Sequence, residues 1–271
     1  MAEMTSLALR ANNLKTMLES REDMFKKLLP RTVDPRRFIT IALLNLNRNP
    51  ALLDCNPKSF YLAVLNAAHL GLEPDGVRGL AYLVPFKREI QLVPGYKGFV
   101  QLSYEGGAVR SWEMRGVYEG DEIDVTYGLN ANIVHKPKAE PNKDTMIGCY
   151  AIARLNNGGA VWEYMTIGEI NTVFNKATGK FKSQTSPWFT DFIPMALKTV
   201  VKRTCKLVPY VGPRLPQAIG IDDEAEMGVP QTSLFGEIED ADVVGEPTDA
   251  EKAAILARER EEAGREPGAE G

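Results

Sequence analysis

Up to about residue 71 the apolar residues recur at helical intervals, and beyond it they fall into short runs broken by turn residues. A chain that makes this switch is neither all-helical nor all-strand, and its fold class is α+β. Leu7, Leu14, Met17, Leu18, Met24, Phe25 and Leu28 set an N-terminal helical segment over residues 1–30. Met17, Met24 and Phe25 suit either a core or a contact between copies of the chain. "DPRRFITIALLNLNRNP" is a second helix, with Asp34 as N-cap, Pro35 in the first turn and Asn49-Pro50 as the stop. "NPKSFYLAVLNAAHLG" is a third, capped by Asn56 and closed by Gly71. "GLAYLVPFKREIQLV" then predicts a hairpin with Lys87, Arg88 and Glu89 near its tip and Pro85 at a sheet edge or strand end. Residues 109–128 and 145–166 hold several more strands, and Asn157-Gly158 marks a tight turn. A short helix over 166–177 follows. A longer one runs over 187–208, capped by Ser186 and kinked by Pro194. The architecture expected is N-terminal helices, a central antiparallel β-rich core, a C-terminal basic helix and a tail.

Charge divides the same chain differently. The net charge is −4, yet residues 1–216 carry 28 Lys+Arg against 20 Asp+Glu, and residues 217–271 carry 4 against 16. A basic body with an acidic tail suits a polyanion binder, and equally a soluble domain with a solvating tail. After Pro216 the composition turns to Asp, Glu, Gly and Pro, which predicts a disordered acidic tail over 217–271. Within it, residues 248–260 have capping-box spacing at Thr248 and Glu251 and could form a short helix. The expected organisation is thus a helical segment at 1–30, a core at 31–216 and a tail. The three cysteines, Cys55, Cys149 and Cys205, lie far apart and suit free thiols in a reducing cytoplasm. No signal peptide is expected, and no apolar run reaches the length that spans a bilayer.

Several chemistries find little support. The nearest approach to a P-loop, "NKATGKF", has Phe174 where the first glycine belongs. His69 and His135 are far apart and no Cys-x-x-Cys occurs, so zinc is not expected. His69 reads as structural, whereas His135, beside Lys136 and Lys138, could meet a phosphate or a base. Asp121, Glu122 and Asp124 could hold a metal for a nuclease, but neighbours in a strand point to opposite sides, and an acidic turn is the simpler account.

What the chain does offer is cations. In the helix over 187–208, Lys198, Lys202 and Lys206 rise one turn at a time along one face, about 6 Å per step. With Arg203 they could meet a phosphate backbone as a row, because no acid between Phe192 and Pro209 pairs them locally. A solvated surface face is the alternative. In "PGYKGFVQL", Gly95 and Gly98 permit close backbone approach, and a helix start near Gly95 with Lys97 would make a small anion site. Tyr96 and Phe99 add stacking or apolar surface, and a plain strand-to-helix turn would explain the stretch equally well.

Read in order, these pieces resemble the RecT family of phage single-strand annealing proteins. The resemblance rests on "NPALLDCNPKSFYLAVLNAAHLGLEPD", "GLAYLVPFKREIQLVPGYKGFVQLSYEGGAV", "VYEGDEID" and "PWFTDFIPMALKTVVKRTCKLVP", and spans roughly residues 28–210. It implies an ATP-independent protein, not an enzyme, that binds single-stranded DNA and anneals complementary strands in recombination as a homo-oligomeric ring or filament. It implies a β-β-β-α element holding DNA in a narrow basic groove. The DNA-binding candidates carried over are Lys97 with Tyr96, and Lys198, followed by Lys87 and Arg88, then Lys202, Arg203 and Lys206. Residues 91–107 become a strand feeding a helix whose start faces the DNA backbone, ended by Gly106-Gly107. No ATP is needed, magnesium is possible, and a partner exonuclease and the host single-strand-binding protein are expected partners in a bacterial cytoplasm. In the tail, "QTSLF" is similar to a short sliding-clamp-docking peptide, with Gln231 as hydrogen-bonding residue and Leu234 and Phe235 as apolar anchors. A metal-dependent nuclease and a plain single-strand-binding protein remain the alternatives.

Overall fold

The computed structural model describes residues 2–138, 140–178 and 186–234. The N-terminal segment is two helices, α1 (Ala2–Glu19) and α2 (Glu22–Leu28), where the spacing suggested one. Leu14, Met17, Leu18 and Phe25 are buried in the main core, while Met24 stays 39% exposed. The N-terminal residues therefore belong to the same packed body as the rest, and of the three interface candidates only Met24 is free to meet another copy.

Helices α3 (Pro35–Arg48) and α4 (Pro57–Leu70) begin and end as the sequence predicts. Asp34 accepts from the Arg37 amide at 2.7 Å and Asn56 from the Lys58 amide at 3.0 Å. Gly71 closes α4 in the left-handed region at φ 68°, where a side chain is disfavoured. Between them, Pro50–Asp54 forms a 3₁₀ turn. Helix α4 is buried on nearly every side, with Phe60, Val64, Leu65 and Leu70 at 1% exposure or less.

Strands β1 (Ala81–Phe86) and β2 (Glu89–Pro94) pair antiparallel, Ala81 opposite Pro94 and Phe86 opposite Glu89. Helix α5 (Tyr96–Ser103) follows at once, ending about three residues before Gly106-Gly107. Strands β3 (Val109–Tyr118), β6 (Met146–Leu155) and β7 (Ala160–Thr166) form a second antiparallel sheet in the order β3-β6-β7. A separate hairpin of β4 (Glu122–Thr126) and β5 (Asn132–Lys136) is inserted between β3 and β6. With α6 (Ile167–Thr178) this sheet makes the expected β-β-β-α unit. The β4–β5 hairpin lays Ile123 and Ile133 over Tyr150 and Ile152 on one sheet face, closing a small second core.

The helix expected over 187–208 is broken into α7 (Pro187–Thr190) and α8 (Phe192–Cys205). Pro194 lies in the first turn of α8, where its missing N–H costs nothing, and its ring would clash with a helical carbonyl four residues earlier. The chain therefore breaks at Asp191 instead of kinking at Pro194. Ala196, Val200 and Val201 turn the apolar face of α8 into the main core.

The largest departure lies in the acidic segment. Residues 217–234 were expected to lack structure, yet Arg214–Met227 is helix α9. Leu215, Ala218 and Ile221 are at most 1% exposed, so α9 is a core helix. The local count of acids misleads because Asp222 and its neighbours are neutralised by cations of α8, and the helix ends on Gly228 at φ 64°. Residues 248–260 lie outside the described residues.

Candidate nucleic-acid interface

Lys198 and Lys202 do not form an exposed row. Both are buried, at 5% and 7% exposure, beneath α9. The Lys198 amine donates to Asp222 Oδ1 at 2.5 Å, and Lys202 donates to Asp222 Oδ2 at 2.8 Å and Asp223 Oδ1 at 3.0 Å. Glu226 also reaches Lys202, at 2.8 Å. The acids missing from the neighbourhood of α8 in sequence are supplied by a helix about twenty residues further on. Burial pushes the Asp222 carboxyl up, but Lys198 and Lys202 outweigh it and hold it below the ordinary aspartate value. Burial likewise opposes the charged form of Lys202, and Asp222 and Glu226 override it, raising its pKa.

The outer end of the row is more open. Lys206 and Arg203 are about half exposed; Arg203 donates to Glu169 Oε1 at 2.9 Å and Lys206 lies 3.9 Å from Asp223. Between α6 and α8–α9 lies an open cleft of about 400 Å³. Its lining mixes Lys202, Arg203 and Lys206 with Glu169, Asp223 and Glu226. Equal numbers of cations and carboxylates make it a poor channel for a polyanion.

The β1–β2 hairpin is different. Lys87 and Arg88 are its two-residue turn, both exposed, with φ of 49° and 69°. With both φ values positive the turn has the left-handed conformation of type I′ at both positions, which Asn-Gly adopts readily and Lys-Arg does not. The strained turn is tied down, since the Arg88 carbonyl accepts from the Asn56 amide at 2.7 Å and Glu89 accepts from the Asn56 side chain at 3.2 Å. The Lys87 amine lies 5.1 Å from the Phe86 ring centre, and neither Lys87 nor Arg88 makes an ion pair among the described residues.

At the hairpin's other end, Gly95 caps α5 and Lys97 is exposed, also without an ion pair among the described residues. Gly95 and Gly98 are explained by the protein's own packing. A Cβ on Gly95 would stand 2.2 Å from the Gly79 carbonyl oxygen, and one on Gly98 2.2 Å from that of Leu80. The close approach expected at these glycines is thus to the strand entering β1. It seats the start of α5 against β1 and fixes Lys97 beside Gly79, where the Tyr82 hydroxyl also lies. Tyr96 is half-buried on the core. Lys97 and the Lys87-Arg88 turn are separated by the length of β2, roughly 17–20 Å. Helices α5 and α8 pack together. Yet Lys97 faces solvent while Lys198 is buried on Asp222, so the shared cation-lined channel expected of them is not formed.

The other candidates are bound up in structure. Asp121 accepts from the amides of Tyr118 and Lys138 at 2.9 and 2.7 Å and meets His135 Nε2 at 3.1 Å. The His135 side chain is buried between Asp121 and Tyr150, which engage both ring nitrogens. Glu122 pairs with Lys138 and Lys136, which hold its carboxyl below the usual glutamate value. These acids organise a hairpin, as the acidic-turn reading expects. His69 meets Gln217 on α9 at 3.2 Å. Burial pushes the Cys149 and Cys205 thiols to about 12.

The clamp-like peptide is largely inside the fold. Gln231 is 8% exposed; its side-chain oxygen accepts from the Leu92 amide and its nitrogen donates to the Leu92 carbonyl, both at 2.7 Å. The Leu234 amide donates to Asn66 at 3.2 Å and its side chain packs against the main core. Gln231 thus caps the outer edge of β2 and is not presented to a partner. Phe235 lies outside the described residues.

The chain is 33% identical over 218 residues to Protein RecT of Escherichia coli (strain K12), covering 78% of this chain and 79% of that one. It is 30% identical over 187 residues to the uncharacterized protein YqaK of Bacillus subtilis (strain 168), covering 68% of this chain and 63% of that one. The RecT family profile matches residues 36–233, from the start of α3 past the Gln231 latch. The chain belongs to the RecT family.

Proposed function

We propose that the protein binds single-stranded DNA and anneals complementary strands in homologous recombination. It acts without ATP and as a homo-oligomer. The family match across residues 36–233 carries this reading, because it takes in the β1–β2 hairpin, α5 and α8 together. Annealing requires that charge repulsion between two strands be reduced while base edges stay free. Cations on a hairpin turn and helix start suit that task, and Lys87, Arg88 and Lys97 are such cations, without an ion pair among the described residues. Arg203 and Lys206, half exposed at the end of α8, are offset by Glu169 and Asp223 and stand second to these. Lys198 and Lys202 contribute by holding α8 and α9 in place.

The test mixes two complementary oligonucleotides, one end-labelled with a fluorophore and the other with a quencher, with no nucleotide and with or without magnesium. Faster quenching than in protein-free controls, with both strands intact on a denaturing gel, supports annealing. Shortened strands would favour a nuclease, and slowed pairing would favour a plain single-strand-binding protein.

A further inference from the structure

The geometry points to the outward side of β1 as a base-stacking track for single-stranded DNA, with Tyr82 as its principal stacking residue; this rests on the function proposed above. Alternation along β1 buries Ala81 and Leu83 at 0% and 6% exposure and turns Tyr82, Val84 and Phe86 to the other side. Tyr82 is 41% exposed, and Val84 and Phe86 are half-buried. Tyr82 and Phe86 are four residues apart, about 13 Å along the strand, so successive aromatic surfaces lie within reach of one extended strand.

Both ends of this track are cationic. Lys87 and Arg88 follow Phe86 at the turn, and Lys97 lies beside Gly79 along with the Tyr82 hydroxyl. The nearby acids are mostly committed: Asp75 to Arg78 at 2.6 Å, and Glu89 to Asn56. Asp191 contributes to the Tyr82 environment and takes a hydrogen bond from Thr190 at 2.6 Å. Aromatic surface between two cationic ends matches a polymer of bases on a phosphate chain. It fits a duplex poorly, because stacked pairs do not offer base faces to a side chain. Stacking is tolerant of sequence, as annealing requires.

Fluorescence anisotropy with two labelled oligonucleotides of equal length, one of thymidines and one of abasic spacers, reads stacking apart from phosphate contact. The wild-type chain is expected to prefer the thymidine oligonucleotide by about five- to a hundredfold. Tyr82→Leu should shrink that preference several-fold, and Tyr82→Phe, which keeps the ring, should restore it. An undiminished preference in Tyr82→Leu overturns the track while leaving single-strand binding intact. If the wild-type chain binds neither oligonucleotide, the proposed function itself fails and the track falls with it.

Discussion

Lys202 reaches from α8 to Asp222 on α9, 2.8 Å away, and Asp222 is completely buried between it and Lys198. One carboxylate thereby accounts for two cations of a helix that, read alone, looks like a row of phosphate ligands. Removing one member of a buried ion cluster leaves the others desolvated and unpaired.

Asp222→Ala should therefore lower stability by about 3–5 kcal/mol in urea or thermal unfolding. Asp223→Ala, at a site about 40% exposed, should cost about 1 kcal/mol or less. Equal effects of the two would contradict a buried cluster centred on Asp222.

The same cluster sets a pH dependence. Asp222 has a depressed folded pKa, so its contribution is present above the unfolded value of about 3.9 and is lost as pH falls through the folded value. Lys202 has a raised folded pKa, so its contribution is complete below about 10.4 and is lost as pH rises through the folded value. Chemical denaturation across pH should show a stability plateau between these limits, with an acid limb shallower in Asp222→Asn than in wild type.

The Lys87-Arg88 turn offers a trade of stability against binding. Lys87→Asn with Arg88→Gly places residues suited to left-handed backbone at φ 49° and 69°. The double variant should gain about 1 kcal/mol of stability. It should also bind single-stranded DNA more weakly, since two cations are gone. A variant that gains stability with unchanged DNA affinity would remove the hairpin tip from the site.

Gln231→Ala should expose the Leu92 amide and carbonyl that its side chain now satisfies, at a cost of about 1–3 kcal/mol. Hydrogen exchange at Leu92 should quicken more than at Leu83 across the hairpin. Unchanged exchange at Leu92 would show that the latch does not hold in solution.

Local signals read well from sequence, and long-range ones did not. The caps at Asp34 and Asn56, the Gly71 stop and the β1–β2 hairpin depend on neighbours a few residues away, and they stand where the pattern puts them. Helix α9 was hidden because four acids between Asp222 and Glu226 suggest a solvated segment until Lys198 and Lys202 are known to lie over them. The burial of Lys198, the latch at Gln231 and the intramolecular role of Gly95 and Gly98 each depend on a partner that sequence spacing does not reveal. Tyr82 carried a legible signal, since strand alternation opposes it to Ala81 and Leu83, yet its proximity to Lys97 depends on how α5 docks.

The central claim is that exposed cations on the hairpin turn and at the start of α5 neutralise DNA. Its most direct test is the salt dependence of single-strand affinity for wild type, for Lys87→Ala/Arg88→Ala/Lys97→Ala and for Lys198→Ala. Each lost phosphate contact should flatten the log–log slope by about 0.7, so the triple variant should flatten it by roughly 2. Lys198→Ala should lower stability and leave the slope of the folded protein unchanged. A slope unmoved in the triple variant and flattened in Lys198→Ala would contradict the account.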